Sequence, residues 1–140
     1  MILAFDPGMT TGWAQYDGYE ESYRVGQLGM PLTEVYEFLN ERKPVMVLIE
    51  NFKHRNQIIT TELYGVEVIG VLHLWCQQND ADYTGMLPAQ AKAFWTDDKI
   101  KKLALWTPGK PHAMDAMRVL LTYRASTDKL WFIEALKLLR

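Results

Sequence analysis

The stretch that decides the fold is residues 1–17, MILAFDPGMTTGWAQYD. An apolar run over residues 1–5 leads directly into Asp6, and a Pro-Gly pair then turns the chain before a second strand-like run begins at Thr11. An uninterrupted apolar run of this kind is typical of a central strand that helices cover on both faces. Asp6 therefore stands at the tip of a buried strand, either as an ordinary turn residue or as a metal ligand.

The composition places the chain among soluble globular proteins. It has 140 residues, 49% of them hydrophobic and 23% charged, which fits a single domain over residues 1–140 with a normal core. Cys76 is the lone cysteine, so no internal disulfide can form and a reducing compartment is expected. No window reaches the ~18 uninterrupted apolar residues of a membrane helix. We expect a cytoplasmic protein that is not associated with a membrane.

Charge is distributed unevenly along the chain. The formal net charge is −2, whereas a dedicated nucleic-acid binder usually has a basic total. Residues 92–110 nevertheless contain five lysines against two aspartates, and NFKHRNQ, residues 51–57, contains Lys53 and Arg55 without any acid. These two stretches are either nucleic-acid contacts or solvated surface, and composition alone does not decide between them.

The hydrophobic periodicity predicts an alternating α/β architecture. Strands are predicted over residues 1–5, 11–16, 21–27, 45–49 and 83–87. Helices are predicted over residues 32–43, 58–77, a lysine-rich stretch after 88, 112–124 and 128–139. Ser126 is the expected N-cap of the last helix. This order of elements predicts a mixed five-stranded sheet with helices on both faces.

Two of the predicted strands end in a carboxylate. Asp6 follows the first strand, and Glu50 follows the run VMVLI over residues 45–49. If these strands are parallel neighbours, both carboxylates lie at the edge of the sheet where α/β folds gather their sites. His112 and Asp115 are three residues apart on a predicted helix and share one face of it. A helix packed with its N-terminus against that edge would bring all four side chains together.

Clustered carboxylates favour a hard divalent cation. Ionised carboxylates in one desolvated place repel each other strongly, and Mg²⁺ held by carboxylates relieves this repulsion and suits phosphate chemistry. Two such ions ~3.5–4 Å apart can activate a water and stabilise the leaving oxygen in phosphodiester hydrolysis. Each residue alone also has an ordinary explanation. Asp6 could be a turn residue, Glu50 a strand end, and Asp115 a partner of the helix dipole. His112 could be a capping or surface residue.

Three motifs resemble those of the RuvC-type Holliday junction resolvases, which belong to the ribonuclease-H-like superfamily. They are, in chain order, ILAFDPGMTTGWA (2–14), VLIENF (47–52) and PHAMDAMRVLL (111–121). LPAQAKAFW (87–95), followed by Lys99, is similar to the basic stretch of that family. Some members have Asp and others have His at the place of His112. The resemblance implies a ribonuclease-H-like α/β fold and a compact member, similar to those of bacteriophages, working in a bacterial cell or a phage-infected host.

The resemblance also implies which residues carry the chemistry. The catalytic metal site would hold two Mg²⁺ ions, which Mn²⁺ could replace, and it would consist of Asp6, Glu50, His112 and Asp115. His112 would be a ligand or a proton-transfer group.

Other residues would contact the DNA. Lys92 and Lys99 would contact backbone phosphate. Phe52, Lys53 or Arg55 would face the centre of the junction, where an aromatic ring can stack on bases of any sequence. Phe52 is equally well explained as a core residue just beyond its strand.

The activity that the resemblance implies is that of a structure-selective DNA endonuclease. A homodimer would place paired symmetric nicks in a four-way or branched DNA, leave 5′-phosphate and 3′-hydroxyl ends, and need no small-molecule cofactor. One alternative is a branched-DNA-binding module that has lost its chemistry. The other is a fragment of an actin-like or sugar-kinase ATPase, whose phosphate loop also looks like the Asp-Pro-Gly-x-Thr-Thr-Gly turn. Such ATPases need two domains, and 140 residues supply one.

Overall fold

A five-stranded mixed sheet forms the centre of the fold. The computed structural model describes residues 1–51, 60–86 and 88–140. Its strands are β1 (Ile2–Asp6), β2 (Thr11–Asp17), β3 (Ser22–Leu28), β4 (Met46–Glu50) and β5 (Asp82–Met86). They lie in the order β3-β2-β1-β4-β5, with β1, β4 and β5 parallel and the β1–β2 and β2–β3 pairs antiparallel. The predicted mixed five-stranded sheet is confirmed, and the two strands that end in Asp6 and Glu50 are parallel neighbours.

Helices cover both faces of this sheet, as the sequence predicts. They are α1 (Leu32–Arg42), α2 (Thr60–Gln78), α3 (Pro88–Phe94), α4 (Asp97–Lys102), α5 (Pro111–Thr127) and α6 (Lys129–Leu139). Within the described ranges, none of these helices is long and apolar enough to cross a membrane.

The start of the last helix differs from the prediction. Ser126 lies inside α5, where its hydroxyl donates a hydrogen bond to the Tyr123 carbonyl oxygen at 2.7 Å. Asp128 is the N-cap of α6, and its carboxylate accepts a hydrogen bond from the Trp131 N–H at 3.0 Å. Both residue types are good N-caps. The prediction was wrong because α5 runs past Arg124 and moves the junction between the two helices.

Side-chain alternation along the strands divides the core into two clusters. Leu3 and Phe5 of β1 point to one side, together with Val47 and Ile49 of β4, and pack under α1 and α2. This side of the sheet is called the α1/α2 face below. Its side chains are large and fully buried, so α1 and α2 rest on a continuous apolar layer.

On the opposite side, called the α5 face below, β1 and β2 have alanines beneath α5. Ala4 and Ala14 are fully buried here together with Leu48, and α5 packs over them. Because successive side chains of a strand alternate between its two faces, Asp6 follows Ala4 and Glu50 follows Leu48 onto this same side. Both strand-tip carboxylates therefore point toward the helix that carries Asp115.

Gly12 sets how closely α5 approaches the sheet. It is the β2 partner of Asp6, and a Cβ at this position would lie 2.0 Å from the carbonyl carbon of His112 and 2.6 Å from the Ala113 nitrogen. No side chain fits in that space. The absence of one at Gly12 allows the first turn of α5 to lie directly against the strand beside Asp6.

Candidate metal centre

Three carboxylates from three separate elements meet at the carboxyl ends of the parallel strands. Asp6, Glu50 and Asp115 each offer one oxygen, and these oxygens all lie within 4.8 Å of one another. Asp6 ends β1, Glu50 ends β4, and Asp115 lies in the N-terminal part of α5. The structure thus brings together three of the four side chains that the sequence places in the metal site.

His112 contacts this cluster at its rim. Its Nδ1 lies 2.8 Å from Oδ2 of Asp6. The imidazole is 47% exposed, whereas the Asp6 side chain is 16% exposed. His112 is the second residue of α5, and it reaches Asp6 because the first turn of α5 lies directly against Gly12. Its roles as a ligand or as a proton-transfer group stay predictions.

Lys92 of α3 reaches over the same carboxylates. Its Nζ lies 2.9 Å from Oδ2 of Asp115 and 3.5 Å from Oε1 of Glu50. Burial disfavours the charged ammonium, but the hydrogen bond to Asp115 and the neighbouring carboxylate charges outweigh burial and raise the pKa of Lys92. The side chain is about half exposed, so this positive charge lies between the cluster and solvent.

Arg118 belongs to the site although the sequence analysis did not select it. Its Nη1 donates to Oδ1 of Asp115 at 2.7 Å, and its Nε donates to the carbonyl oxygen of Trp95 at 2.9 Å. Its Nη2 contacts Oδ1 of Asp97. Arg118 follows Asp115 by three residues on α5, and a pair of opposite charges at this spacing is the signal that could have revealed it.

Burial and mutual repulsion change the acidity of the cluster. Burial, followed by the charge of Asp6, raises the pKa of Glu50 to about 7. Burial also raises the pKa of Asp6, although the hydrogen bond with His112 acts in the opposite direction. Ionisation of these carboxyl groups is thus less favourable in the protein alone than in water, and a bound cation would offset this cost.

The donor set fits a hard divalent cation. Two cationic side chains, Lys92 and Arg118, face three carboxylates, so the fully ionised cluster keeps a negative charge. Oε2 of Glu50 is buried and has no hydrogen-bond partner among the described residues. A buried carboxylate oxygen is costly unless something binds it, and oxygen ligands are what Mg²⁺ and Mn²⁺ prefer. The three carboxylates could therefore hold a metal ion.

Of the other predicted DNA contacts, the structure describes Lys99. Lys99 lies on α4 with its Nζ 3.7 Å from the centre of the Phe94 ring, which is a cation–π contact. Phe52, Lys53 and Arg55 lie outside the described residues. Their predicted contacts with the centre of a junction remain predictions.

The sheet order and the helices on both faces define an α/β fold of the ribonuclease-H-like class. Thermus thermophilus RuvC in complex with a Holliday junction substrate matches 91% of this chain and 95% of its own, with a TM-score of 0.68 and 16% identity. A second Thermus thermophilus RuvC structure matches 90% of this chain and 95% of its own chain, with a TM-score of 0.63 and 16% identity. The fowlpox virus Holliday junction resolvase matches 89% of this chain and 98% of its own chain, with a TM-score of 0.58 and 11% identity.

The chain therefore has the fold of the RuvC-type Holliday junction resolvases, as its motifs predict. No protein-family model and no curated protein matches its sequence.

Proposed function

We propose that this protein is a metal-dependent endonuclease that cuts branched DNA and resolves four-way junctions. The observation that carries the proposal is the convergence of Asp6, Glu50 and Asp115 within 4.8 Å. This cluster lies at the strand edge where α/β folds gather their sites. The substrate class is supported by the fold, since one similar structure contains a Holliday junction and another is a Holliday junction resolvase.

Each side chain of the site would have its own role in phosphodiester hydrolysis. When bound, two Mg²⁺ ions supply an activated water and neutralise the charge that develops on the leaving oxygen. Asp6, Glu50 and Asp115 would hold these ions. His112 would orient Asp6 through its Nδ1 and exchange a proton through its other ring nitrogen. The Lys92 ammonium would bind an oxygen of the scissile phosphate, and the products would carry 5′-phosphate and 3′-hydroxyl ends.

We also propose that the working unit is a homodimer, because paired nicks in opposed strands need two sites related by twofold symmetry. The described part of α2 supports this proposal. Leu63, Val66 and Leu74 lie along one side of the helix, and each is about half exposed. Tyr83 of β5 is 47% exposed, and its ring lies 4.3 Å from that of His73 on α2. A group of exposed apolar side chains on one side of a helix is typical of a protein interface.

The dimer is tested by Leu74→Glu, measured by equilibrium sedimentation. We expect the parent protein to sediment as a dimer and the variant as a folded monomer, because a charge among these apolar side chains disfavours their burial. A variant that remains dimeric would place the interface elsewhere.

The nuclease proposal is tested by mapping cuts on an immobile four-way junction that is end-labelled on each strand. We expect paired nicks that are symmetric across the junction in Mg²⁺ and absent in EDTA, with ends that DNA ligase can reseal. Asp6→Asn should still bind the junction while its cutting rate falls by at least about a hundredfold, since a direct ligand contributes more than its supporting partners. Asp80→Asn, at an exposed turn with a positive φ that Asn tolerates, is the matched control.

Other outcomes would favour the alternatives. Tight junction binding without cutting in Mg²⁺ or Mn²⁺ would support a DNA-binding module that has lost its chemistry. Specific binding of ATP would support the ATPase interpretation. Cutting by the Asp6→Asn variant at the parent rate would contradict the assignment of the metal site.

A further inference from the structure

We propose that Arg118 is a positioning residue that fixes the Asp115 carboxylate for metal binding and ties it to the segment that follows Lys92. The proposal rests on the proposed function, since it takes the cluster of three carboxylates as the metal centre.

The guanidinium of Arg118 joins three parts of the chain. It contacts the carboxylate of Asp115 on its own helix, the carbonyl of Trp95 just after α3, and the carboxylate of Asp97 at the start of α4. The Arg118 side chain is 11% exposed. A guanidinium is a planar fork whose donors have fixed directions, so three acceptors bound to it are held in one mutual arrangement.

The two oxygens of Asp115 have different partners. Oδ1 accepts the hydrogen bond from Arg118, while Oδ2 lies 2.9 Å from the Lys92 ammonium beside Glu50. Because Arg118 holds Oδ1, the carboxylate cannot rotate freely, and Oδ2 stays directed at the cluster. Residues that orient a metal ligand in this way typically contribute about 10–100-fold to metal affinity.

The contact with Trp95 extends this effect to Lys92. Trp95 is almost fully buried, and Arg118 binds its carbonyl oxygen at 2.9 Å. Lys92 lies three residues earlier on α3, so one arginine links the helix that carries the lysine to the helix that carries Asp115. Arg118 therefore sets the spacing between the lysine and the carboxylate.

The test measures the affinity of the full chain for Mn²⁺ alone, by calorimetry and by electron paramagnetic resonance, without DNA. We expect Arg118→Ala to bind Mn²⁺ about 10–100-fold more weakly than the parent. Arg118→Lys should recover part of this loss, because an ammonium keeps the charge but cannot reach three fixed acceptors. Arg24→Ala is the matched control, since Arg24 is exposed on β3 and pairs with Glu20.

One more variant separates the two carboxylate contacts of the guanidinium from each other. Asp97→Ala removes the acceptor on α4 and keeps the contact with Asp115, so Mn²⁺ affinity should stay within about threefold of the parent. A loss as large as that of Arg118→Ala would show that the α4 contact, and not Asp115, carries the effect. That result would overturn the proposal.

Further outcomes are equally decisive. A folded Arg118→Ala with Mn²⁺ affinity within about twofold of the parent would overturn the positioning role alone. If this variant does not fold, Arg118→Lys replaces it, and parent-like affinity there would overturn the role in the same way. A parent protein that binds no Mn²⁺, or an Asp6→Asn variant that binds it as tightly as the parent, would contradict the proposed metal centre itself.

Discussion

The two faces of the sheet differ in the size of the side chains that β1 and β2 place beneath the helices. On the α1/α2 face, Leu3 and Phe5 are large and fully buried. On the α5 face, the alternate positions are Ala4, Ala14 and Gly12, and the backbone of α5 reaches the strand. Large side chains separate a helix from a sheet by a full apolar layer, whereas small ones let the two backbones approach. The candidate site lies beside the close approach of α5 to Gly12.

This difference explains why the chemistry is confined to one face. A helix that lies directly on the strands can bring Asp115 and His112 to the strand tips, where Asp6 and Glu50 point toward it. Among the described residues of the α1/α2 face, an apolar layer lies between the strands and the helices and separates their backbones. The following four predictions test the contrast, beginning with the largest expected effect.

Gly12→Ala would break the close approach. Its Cβ would lie 2.0 Å from the backbone of His112, and backbone cannot move aside as a flexible side chain can. We expect the free energy of unfolding to fall by about 3 kcal/mol, measured by urea denaturation, and Mn²⁺ affinity to fall with it. Gly29→Ala, whose Cβ would meet only ordinary contacts, should stay within about 0.5 kcal/mol of the parent. Identical unfolding curves for Gly12→Ala and the parent would rule out this packing.

Glu50→Gln would remove a carboxylate with a raised pKa from the α5 face. Because burial and Asp6 raise the pKa of Glu50 to about 7 from the usual 4.5, the folded protein binds an extra proton between these values. The unfolding free energy of the parent in EDTA should therefore decrease as pH rises from about 4.5 to about 7, by up to about 3 kcal/mol.

The Gln variant has no such proton to lose. Its free energy of unfolding should decrease less as pH rises, and the variant should be more stable than the parent at pH about 8. Urea denaturation at pH about 5 and about 8 measures both effects. The same pH dependence in parent and variant would contradict the acidity assigned to Glu50.

Ala4→Val would fill the α5 face without touching a carboxylate. Ala4 is fully buried beneath α5, so the added methyl groups should push the helix outward and reduce stability by about 1–3 kcal/mol. Mn²⁺ affinity should fall as well, because Asp115 moves with α5. An affinity equal to that of the parent would mean that the cluster does not depend on this packing.

Ile49→Val makes the corresponding test on the α1/α2 face. Ile49 precedes Glu50 in β4 and is fully buried, so the lost methylene should reduce stability by about 1 kcal/mol. Its side chain points away from the carboxylates, and Mn²⁺ affinity should therefore be unchanged. A clear loss of affinity in Mn²⁺ titrations would show that the two faces are not independent.

Much of this architecture could be predicted from the sequence. Apolar runs that end in Asp6 and Glu50 predict buried strands that each end in a carboxylate. The spacing of His112 and Asp115 places both on one side of a helix. These features depend on local pattern alone.

The remaining features depend on contacts between distant residues. The approach of α5 at Gly12 depends on the side chain that is missing there and on where the helix begins. Two of the acceptors of Arg118 come from a chain segment about 20 residues away in sequence, with Arg118 and Asp97 separated by 21 positions. The N-cap of α6 is Asp128 and not the predicted Ser126, because α5 continues further than its own sequence pattern indicates. No local signal fixes these positions.

The most direct test of the metal centre is a crystal structure of the protein grown with Mn²⁺ and recorded at a wavelength where manganese scatters anomalously. We expect anomalous density bound by oxygens of Asp6, Glu50 and Asp115, and none at this place in crystals of Asp6→Asn. Crystals of the parent with no anomalous density at these carboxylates, at a Mn²⁺ concentration that supports junction cutting, would contradict the account.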